Sequence, residues 1–421
     1  MKKMRLCLRS FVKMLFAKRF SVSWLNNSKM VQRFQNNGRP MAPLGSRILS
    51  DPDKVFDHNM WDHMQWSQEE EERAREKAIK NSLVRVPPEL QEKYEREASK
   101  YWNEFYKTHK NNFFKDRKWL LLEFPELLPG GKCDQVDCIQ TNTTKDLSHS
   151  KFSGIPEDRD HCEDNSLANI SSLRGSNFSR CHAFSVVNDQ SDKCSEEKLV
   201  NLEPFPGYKA AYRILEVGCG AGNSVFPLLK ATCHDPRVFI YCCDFASGAV
   251  ELIKSHSSFD SSRCFAFVHN VCEDASPYPF PDESLDVILL VFVLSSIHPD
   301  RIQGIVNRLA SLLKPGGMML FRDYGRYDAS QLRSKEGCCL SENFYVRGNG
   351  TRAYFFTKDE IHQVFSSAGL TEVQNLLDRR LQVNRKKKVK MHRVWIQSKF
   401  QKQLLPLTQT REEALPDKHC T

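Results

Sequence analysis

Two features that define large classes of protein are missing from this sequence. Its longest uninterrupted apolar run, residues 287–294, has eight residues and is too short to cross a bilayer. No two of its fifteen cysteines are spaced as CxxC, and the His161-Cys162 and Cys181-His182 pairs lie in polar low-complexity sequence. We therefore predict no membrane segment, no metal site and free thiols in a reducing compartment.

Acidic residues are absent from the first 50 residues, which contain 11 lysines and arginines. This leader accounts for all the excess positive charge, because the rest of the chain has 50 basic and 52 acidic residues. Apolar residues between Met4 and Phe16 fall near one helical face, as in a mitochondrial presequence. We predict a targeting leader over residues 1–40 and a location in the mitochondrial matrix. The alternative is a disordered basic tail on a cytoplasmic or nuclear protein.

Composition divides the remainder of the chain into four segments. Residues 41–129 are charged and aromatic, and we predict a helical region there. Residues 130–204 are rich in Ser, Asn, Asp and Lys without periodicity, which predicts a disordered insert. Strands and helices alternate over 205–402, and residues 403–421 are predicted to be a disordered tail.

Capping signals and proline divide the helical region. Ser67 and Glu70 form a capping box that predicts a helix to about Lys80, and Pro87-Pro88 ends it. A second helix should follow, because aromatic and small residues then recur at helical spacing. These residues are Tyr94, Ala98, Tyr101, Trp102 and Phe105.

Near-continuous apolar runs indicate strands that are buried on both faces. Their alternation with helices predicts a doubly wound α/β fold with a seven-stranded, mainly parallel sheet. The candidate strands are 213–218, 238–244, 264–270, 285–293, 318–324, 371–377 and 392–398, and the candidate helices are at about 223–230, 246–255, 299–313 and 358–368.

A glycine turn follows the first of these strands. Gly218, Gly220 and Gly222 give the spacing GxGxG, whereas a dinucleotide loop needs its third glycine at the position of Asn223. Glu216, two residues before the first glycine, also suits S-adenosylmethionine, which has no pyrophosphate to bind. We predict S-adenosylmethionine as the cofactor, and a dehydrogenase is the least favoured enzyme.

The next two strands end in polar residues at the same edge of the sheet. Asp244 can accept hydrogen bonds from both ribose hydroxyls, although a strand-end Asp is often only a helix cap. The third strand ends at Asn270-Val271, where we expect the adenine amino group and ring to be bound.

Six strings in the chain together resemble the tRNA N3-methylcytidine methyltransferases. The last two are long and family-specific, and the similarity covers about 43–129 and 211–402. The strings are 216–223, 241–248, 292–300, 313–317, 321–328 and 343–356.

The resemblance implies a class I methyltransferase fold that uses S-adenosylmethionine to methylate cytidine 32 in tRNA anticodon loops. The leader and residues 42–47 look most like the mitochondrial member, for which the implied substrates are threonine and serine tRNAs. Some members of the family rely on a seryl-tRNA synthetase, which makes that protein a candidate partner.

The same correspondence assigns individual cofactor positions. Trp102 and Tyr106 match a motif that closes over the ligand, with ordinary core packing as the alternative. Gly218 and Asp244 match directly, and Val291 is the contribution of the fourth strand. Asn270 departs from the usual Asp, so its bond to the adenine amino group should lack charge assistance.

The chemistry requires positioning more than proton transfer. Cytosine N3 carries a lone pair, so the protein mainly has to place an extruded base in line with the methyl group. Because the product ring gains positive charge, we predict Asp323 as the stabilising carboxylate, with Tyr324 beside it for stacking or hydrogen bonding. The alternative is a structural Arg322–Asp323 pair.

Two basic groups are candidates for the tRNA backbone. The first is 113–119, where Phe114, Lys115 and Arg117 mix aromatic and cationic side chains. The second is the basic run 379–393, and Arg347 lies in a family string. The candidates in the basic run are Arg385, Lys386, Lys387 and Lys388.

Two other functions remain compatible with these residues. A protein or small-molecule methyltransferase would use the same cofactor loop and leave the basic runs as solvated surface. A non-catalytic RNA-binding protein would retain the fold without turnover.

Overall fold

The computed structural model describes residues 45–130 and 204–404, all of which belong to one compact unit. The predicted leader, the tail beyond residue 404, nearly all of the insert and the two His-Cys pairs lie outside the described residues. In the described ranges, no helix has the length and apolarity required to span a membrane.

Helices and strands alternate through most of the described chain. The helices are α1 (Gln68–Ser82), α2 (Pro88–Arg96), α3 (Ala98–His109), α4 (Leu120–Glu123), α5 (Val225–Ala231), α6 (Ser247–Lys254), α7 (Pro299–Leu312), α8 (Ala329–Leu332) and α9 (Lys358–Ser367). The strands are β1 (Met60–Trp61), β2 (Tyr212–Val217), β3 (Val238–Asp244), β4 (Cys264–Val268), β5 (Leu285–Val291), β6 (Leu313–Tyr324), β7 (Cys339–Ser341), β8 (Phe344–Val346), β9 (Arg352–Tyr354), β10 (Leu370–Asn384) and β11 (Val389–Lys402).

The central sheet confirms the predicted α/β architecture. Its order is β1-β10-β11-β6-β5-β2-β3-β4, with parallel pairing from β6 through β4 and antiparallel pairing among the other strands. All seven predicted strands are present. The eighth, β1, has two residues that pair with Leu381 and Gln382, and such a short strand has no alternating pattern that sequence can reveal.

Helices cover both faces of this sheet. Side chains of α7 and α9 pack on one face, and those of α5 and α6 pack on the other. Leu120, Phe124 and Leu127 are fully buried in the second cluster beside Ile214 and Ile240. The end of the predicted helical region is therefore part of the core of the central sheet and not a separate body.

The N-terminal helices agree with the predicted signals in part. The capping box at Ser67 and Glu70 is present and starts α1. The predicted second helix is two helices, because the chain bends at Glu97, between α2 and α3.

The C-terminal hairpin is much longer than the two predicted strands. β10 and β11 pair without interruption from Gln374 to Asn384, which places the basic run 379–393 in a hairpin that extends beyond the end of β6. Its outer part packs Leu381 and Val383 against Val55 and Trp61 from the N-terminal segment. Sequence reasoning ended these strands early because charged residues interrupt the apolar pattern.

A small second sheet was not predicted. β7, β8 and β9 pair antiparallel, and Val86 donates a backbone hydrogen bond of 2.8 Å to the carbonyl of Cys339. This sheet therefore joins the string 343–356 to the N-terminal helices.

Candidate active site

The glycine turn after β2 lets other parts of the chain approach its backbone closely. Gly220 has a φ of +53°, and a Cβ there would lie 2.6 Å from the Tyr106 hydroxyl. Gly218 has a φ of +64°, and a Cβ there would collide with the side chain of Val293. Gly222 closes the turn by donating to the Cys219 carbonyl at 3.0 Å. The turn thus requires glycine for both conformation and space.

Asp244 ties this turn to the end of β3. One carboxylate oxygen accepts from the Gly220 amide at 3.0 Å and the other from the Ala246 amide at 2.9 Å. Burial raises the pKa of Asp244 to about 6, while these amide bonds act in the opposite direction. The carboxylate organises the turn and still lines the cleft beside it, so structural and ligand roles coexist in one residue.

A cleft with a volume of about 70 Å³, partly open to solvent, lies at the carboxyl edge of the parallel strands. Six predicted cofactor residues line it: Trp102, Tyr106, Gly218, Asp244, Asn270 and Val271. Sequence reasoning missed several others, which occupy the loops after β3, β4 and β5 or the second sheet. These are Phe245, His269, Cys272, Phe292, Val293, Ser296, Ile297 and Arg352. Six of these eight residues lie in the family strings 241–248, 292–300 and 343–356, whereas His269 and Cys272 were marked only by their position after β4.

Four of the ten predicted cofactor residues do not line this cleft: Gly220 and Gly222, which lie buried in the glycine turn, and Val291 and Glu216. Val291 is buried in the core at the end of β5. Glu216 has no exposed surface, and its Oε1 atom accepts from Arg117 Nη1 at 3.1 Å. Burial raises the pKa of Glu216 to about 7. Glu216 therefore binds the N-terminal segment through Arg117. Its predicted contact with the cofactor is not supported by this geometry.

Helix α3 packs over the glycine turn and is hydrogen-bonded to the N-terminal end of α6. The Trp102 and Tyr106 rings stack with centroids 5.9 Å apart. Ser99 donates to the Phe245 carbonyl at 3.1 Å, and Asn103 accepts from the Gly248 amide at 2.9 Å. Since α6 has no capping side chain of its own, Asn103 supplies the missing acceptor.

Asn223, at the position of the missing third glycine, holds the segment that follows α3. Its side chain donates to the Phe114 carbonyl at 3.2 Å, and its own carbonyl accepts from the Arg117 amide at 2.9 Å. Glycine could not make the first bond. The departure from the dinucleotide pattern therefore has a structural function in this chain.

Asn270 lines the cleft but also stabilises its own loop. Its carbonyl oxygen accepts from the Cys272 amide at 3.1 Å, and its amide nitrogen donates to Glu273 at 2.9 Å. A carbonyl oxygen has two lone pairs, so one acceptor site remains for an adenine amino group.

The predicted catalytic pair is split between the two faces of β6. Asp323 is fully buried, and its oxygens accept from the amides of Ser295 and Tyr324 at 2.9 and 2.8 Å. Burial raises its pKa to about 6. The alternative Arg322–Asp323 pair is wrong, because Arg322 pairs with Asp378 at 2.5 Å. Asp323 does not line the cleft, so its predicted direct contact with substrate is not supported.

Tyr324 instead belongs to a half-exposed aromatic group beside the cleft. Its ring centroid lies 5.0 Å from that of Phe292, and the Arg347 guanidinium lies 5.3 Å from the ring centre. The Trp395 ring completes this group, 6.5 Å from Phe292.

The predicted RNA-binding cations are separated into buried and exposed sets. Arg379 pairs with Glu71 at 2.6 Å, Arg380 with Asp378 at 2.9 Å, and buried Arg393 with Asp328 at 2.9 Å. Arg117 points inward to Glu216, so its predicted phosphate contact is not supported. The cations exposed to solvent are Lys115, Arg385, Lys386, Lys387, Lys388 and Lys390.

Among the described residues, no group of three or more His, Cys, Asp or Glu side chains is placed to hold a metal ion. Burial raises the pKa of the Cys219 thiol to about 12. The thiols of Cys242 and Cys264 lie 3.8 Å apart in the same core. These cysteines are therefore protonated core residues at neutral pH.

The chain is similar to known methyltransferases over most of its length. A family described as a methyltransferase domain matches residues 215–319. The tRNA N(3)-cytidine methyltransferase METTL2 of Gallus gallus is 52% identical over 363 residues, which cover 86% of this chain and 95% of the relative. The human mitochondrial tRNA N(3)-cytidine methyltransferase METTL8 is 54% identical over 290 residues, 67% of this chain and 97% of the relative. A SAM-dependent methyltransferase structure from Methanosarcina mazei has a TM-score of 0.35 at 18% identity, covering 46% of this chain and 93% of that chain.

The cleft fits S-adenosylmethionine. Asp244 lines the cleft at the strand end where ribose hydroxyls bind in this class of fold, and Gly218 of the glycine turn lines it beside Asp244. Phe245, Val271 and Ile297 supply apolar walls suited to a purine ring. With this site, the mainly parallel sheet and relatives near 50% identity, the chain belongs to the tRNA N(3)-cytidine methyltransferases, S-adenosylmethionine-dependent enzymes of the class I fold.

Proposed function

We propose that the protein methylates N3 of cytidine 32 in the anticodon loop of mitochondrial threonine and serine tRNAs. The observation that carries this proposal is the pair of family-specific strings, 321–328 and 343–356, beside the cleft. They are bonded to each other: Phe356 donates to the Tyr324 carbonyl at 2.9 Å, and Arg326 to the Phe356 carbonyl at 2.8 Å. A unit of this kind is suited to hold an extruded anticodon-loop base.

When bound, S-adenosylmethionine supplies an electrophilic methyl group. The N3 lone pair of cytosine would bond to this methyl carbon as the C–S bond breaks and S-adenosylhomocysteine departs, so the positive charge would pass from sulfur to the pyrimidine ring. The protein needs no strong base for this step and has to orient two reactants. Trp102, Tyr106, Gly218, Asp244, Asn270 and Val271 are proposed to hold the cofactor, with Gly220 and Gly222 shaping the turn.

Asp323 is proposed to act by positioning and by charge. It anchors the Ser295 amide and so fixes the turn between β5 and α7, and its carboxylate adds negative potential near the reacting base.

The Asp323→Ala substitution should reduce turnover about tenfold to a hundredfold, because it releases that turn and misplaces the base. Titration calorimetry should show a smaller loss of S-adenosylmethionine affinity than of turnover, because the released turn contributes only Val293 and its neighbours to the cofactor cleft. The matched variant Asp323→Asn retains one acceptor oxygen and should lose less activity. Unchanged turnover in Asp323→Ala would reject this role.

The exposed tip of the β10–β11 hairpin, with Lys115 and Arg347 nearer the cleft, is the proposed tRNA surface. Arg385 to Lys388 form the turn, and Lys388 lies 4.3 Å from the ring centre of Phe56. Phe114 packs 4.8 Å from Phe113 and contributes mainly to the aromatic cluster that supports Lys115.

The double substitution Lys386→Ala with Lys387→Ala should weaken tRNA binding and lower the slope of log K against log salt by about 1.5, as expected for two lost phosphate contacts. Fluorescence anisotropy between about 50 and 200 mM salt measures both quantities. Lys230→Ala with Lys254→Ala, which removes two exposed lysines of the catalytic domain, is the matched control. An equal slope in both double variants would contradict the proposed surface.

The mitochondrial assignment is supported by the acid-free leader and by relatives whose names include that compartment. We propose that residues 1–40 direct import and that a seryl-tRNA synthetase assists serine tRNAs. Mapping 3-methylcytidine in tRNA from cells that lack the protein tests the assignment. Loss of the mark at position 32 of mitochondrial threonine and serine tRNAs is the expected result. Loss confined to cytosolic tRNAs would overturn it.

A further inference from the structure

The turn that follows β5 carries an unusual backbone conformation. Phe292 has a φ of +58°, a region that bulky residues rarely adopt. Seven described non-glycine residues have positive φ, and Phe292 is the one among them that lines the cleft. Strain of this kind persists when the surrounding contacts hold it, and it is concentrated at functional sites.

Contacts with β6 and with the glycine turn hold this turn in place. The Phe292 amide donates to the Arg322 carbonyl at 2.8 Å, and the Ser295 amide to Asp323 at 2.9 Å. The Val293 side chain lies against Gly218, and a Cβ atom on residue 218 would collide with that side chain. The turn therefore places the Val293 side chain against the glycine turn and the Phe292 ring next to Tyr324.

The Phe292 ring lies between the cofactor cleft and the family-specific strings. It lines the cleft, and its centroid is 5.0 Å from the Tyr324 ring. The Arg347 guanidinium lies over Tyr324, and the loop that carries it is tight: Gly350 has a φ of +82°, and a Cβ there would strike the Tyr101 ring of α3. Phe292 is thus an aromatic surface at the boundary between the two reactants.

We propose that Phe292 is the stacking partner that holds the target cytosine in line with the methyl group, a role that rests on the extruded base of the proposed function. An aromatic face binds a flat pyrimidine by stacking, and it attracts the ring more strongly as that ring becomes cationic. Phe292 therefore favours the transition state over the neutral ground state. The strained φ is the conformation that aims the ring at this position.

Three variants separate the effect of the Phe292 aromatic ring on turnover from the effect of its backbone conformation. Phe292→Asn removes the aromatic face but tolerates positive φ, so the turn should persist. Phe292→Leu removes the face and retains the strain, and Phe292→Tyr retains both. Turnover should fall at least tenfold in the Asn and Leu variants and remain within about threefold of wild type in Phe292→Tyr, as expected when one base-stacking contact is lost.

Stacking is observed directly with an anticodon stem-loop that carries the fluorescent analogue pyrrolocytosine at position 32. Binding should quench this probe in the wild type and in Phe292→Tyr, and should leave it bright in Phe292→Asn. A Phe292→Asn enzyme that quenches the probe and turns over normally would overturn the inference. A wild-type enzyme that leaves the unmodified cytidine 32 stem-loop unmethylated while methylating another tRNA site would overturn the proposed function instead.

Discussion

The Asp244→Ala variant is expected to bind S-adenosylmethionine at least about a hundredfold more weakly than the wild type, because it would lose the two charge-assisted hydrogen bonds that we propose between Asp244 and the ribose. The same change deprives the Gly220 and Ala246 amides of their acceptors, so the glycine turn should also loosen. Titration calorimetry measures the affinity, and the melting temperature with saturating cofactor reports the lost stabilisation.

Two comparisons make this result specific. Asp244→Asn keeps an acceptor for one amide and removes the charge, so its affinity should lie between those of wild type and Asp244→Ala. Asp274→Ala removes an acid whose side chain is 92% exposed and should bind the cofactor normally. Equal affinity in Asp244→Ala and Asp274→Ala would contradict the assignment of Asp244 to the ribose.

The Arg117→Ala substitution is expected to lower the free energy of unfolding by about 3–5 kcal/mol, since it leaves a buried carboxylate without its cation. Arg117 Nη1 lies 3.1 Å from Glu216 Oε1 and 2.5 Å from Ser224 Oγ. Glu216 Oε2 has no hydrogen-bond partner within the described ranges, so no other group compensates for the loss. Urea denaturation measures the change.

Adding Glu216→Gln to Arg117→Ala should restore most of this stability, because a neutral amide needs no cation. The double-mutant cycle isolates the pair from the other contacts of Arg117. Additive effects of the two substitutions would show that the ion pair does not couple the N-terminal segment to β2.

The pH dependence of this effect has a definite sign. The folded pKa of Glu216, about 7, lies above its ordinary value of 4.5, so the native state binds more protons between these values. The contribution of Glu216 to the free energy of unfolding therefore falls as the pH rises from about 4.5 to about 7. The loss caused by Arg117→Ala should be larger at pH 8 than near pH 5.5, because the carboxyl is ionised at pH 8.

The parallel sheet and the cofactor edge were predictable because their signals are local. Buried strands such as β3 and β5 read as apolar runs, and glycine spacing with a strand-end Asp predicts a ribose site beside the first turn. Capping at Ser67 likewise depends on neighbours within one helical turn. Such features need no knowledge of distant contacts.

The partners of charged residues were not predictable. Sequence alone grouped Arg117 with the RNA-binding residues and Glu216 with the cofactor, whereas packing of the N-terminal segment onto β2 pairs them with each other. The basic run 379–393 similarly divides into paired arginines and an exposed tip, because the hairpin register determines which side chains meet acids.

The fold class, the cofactor and the family could be predicted from the amino-acid sequence, since they follow from short motifs and hydrophobic periodicity. The residues that line the cleft besides the six predicted ones, and the contacts that hold all of them in place, depend on the packing of distant segments and could not be predicted. Phe292 illustrates the difference: its ring position depends on a positive φ maintained by Arg322, Val293 and the Asp323–Ser295 bond, contacts between segments that are distant or unmarked in the chain.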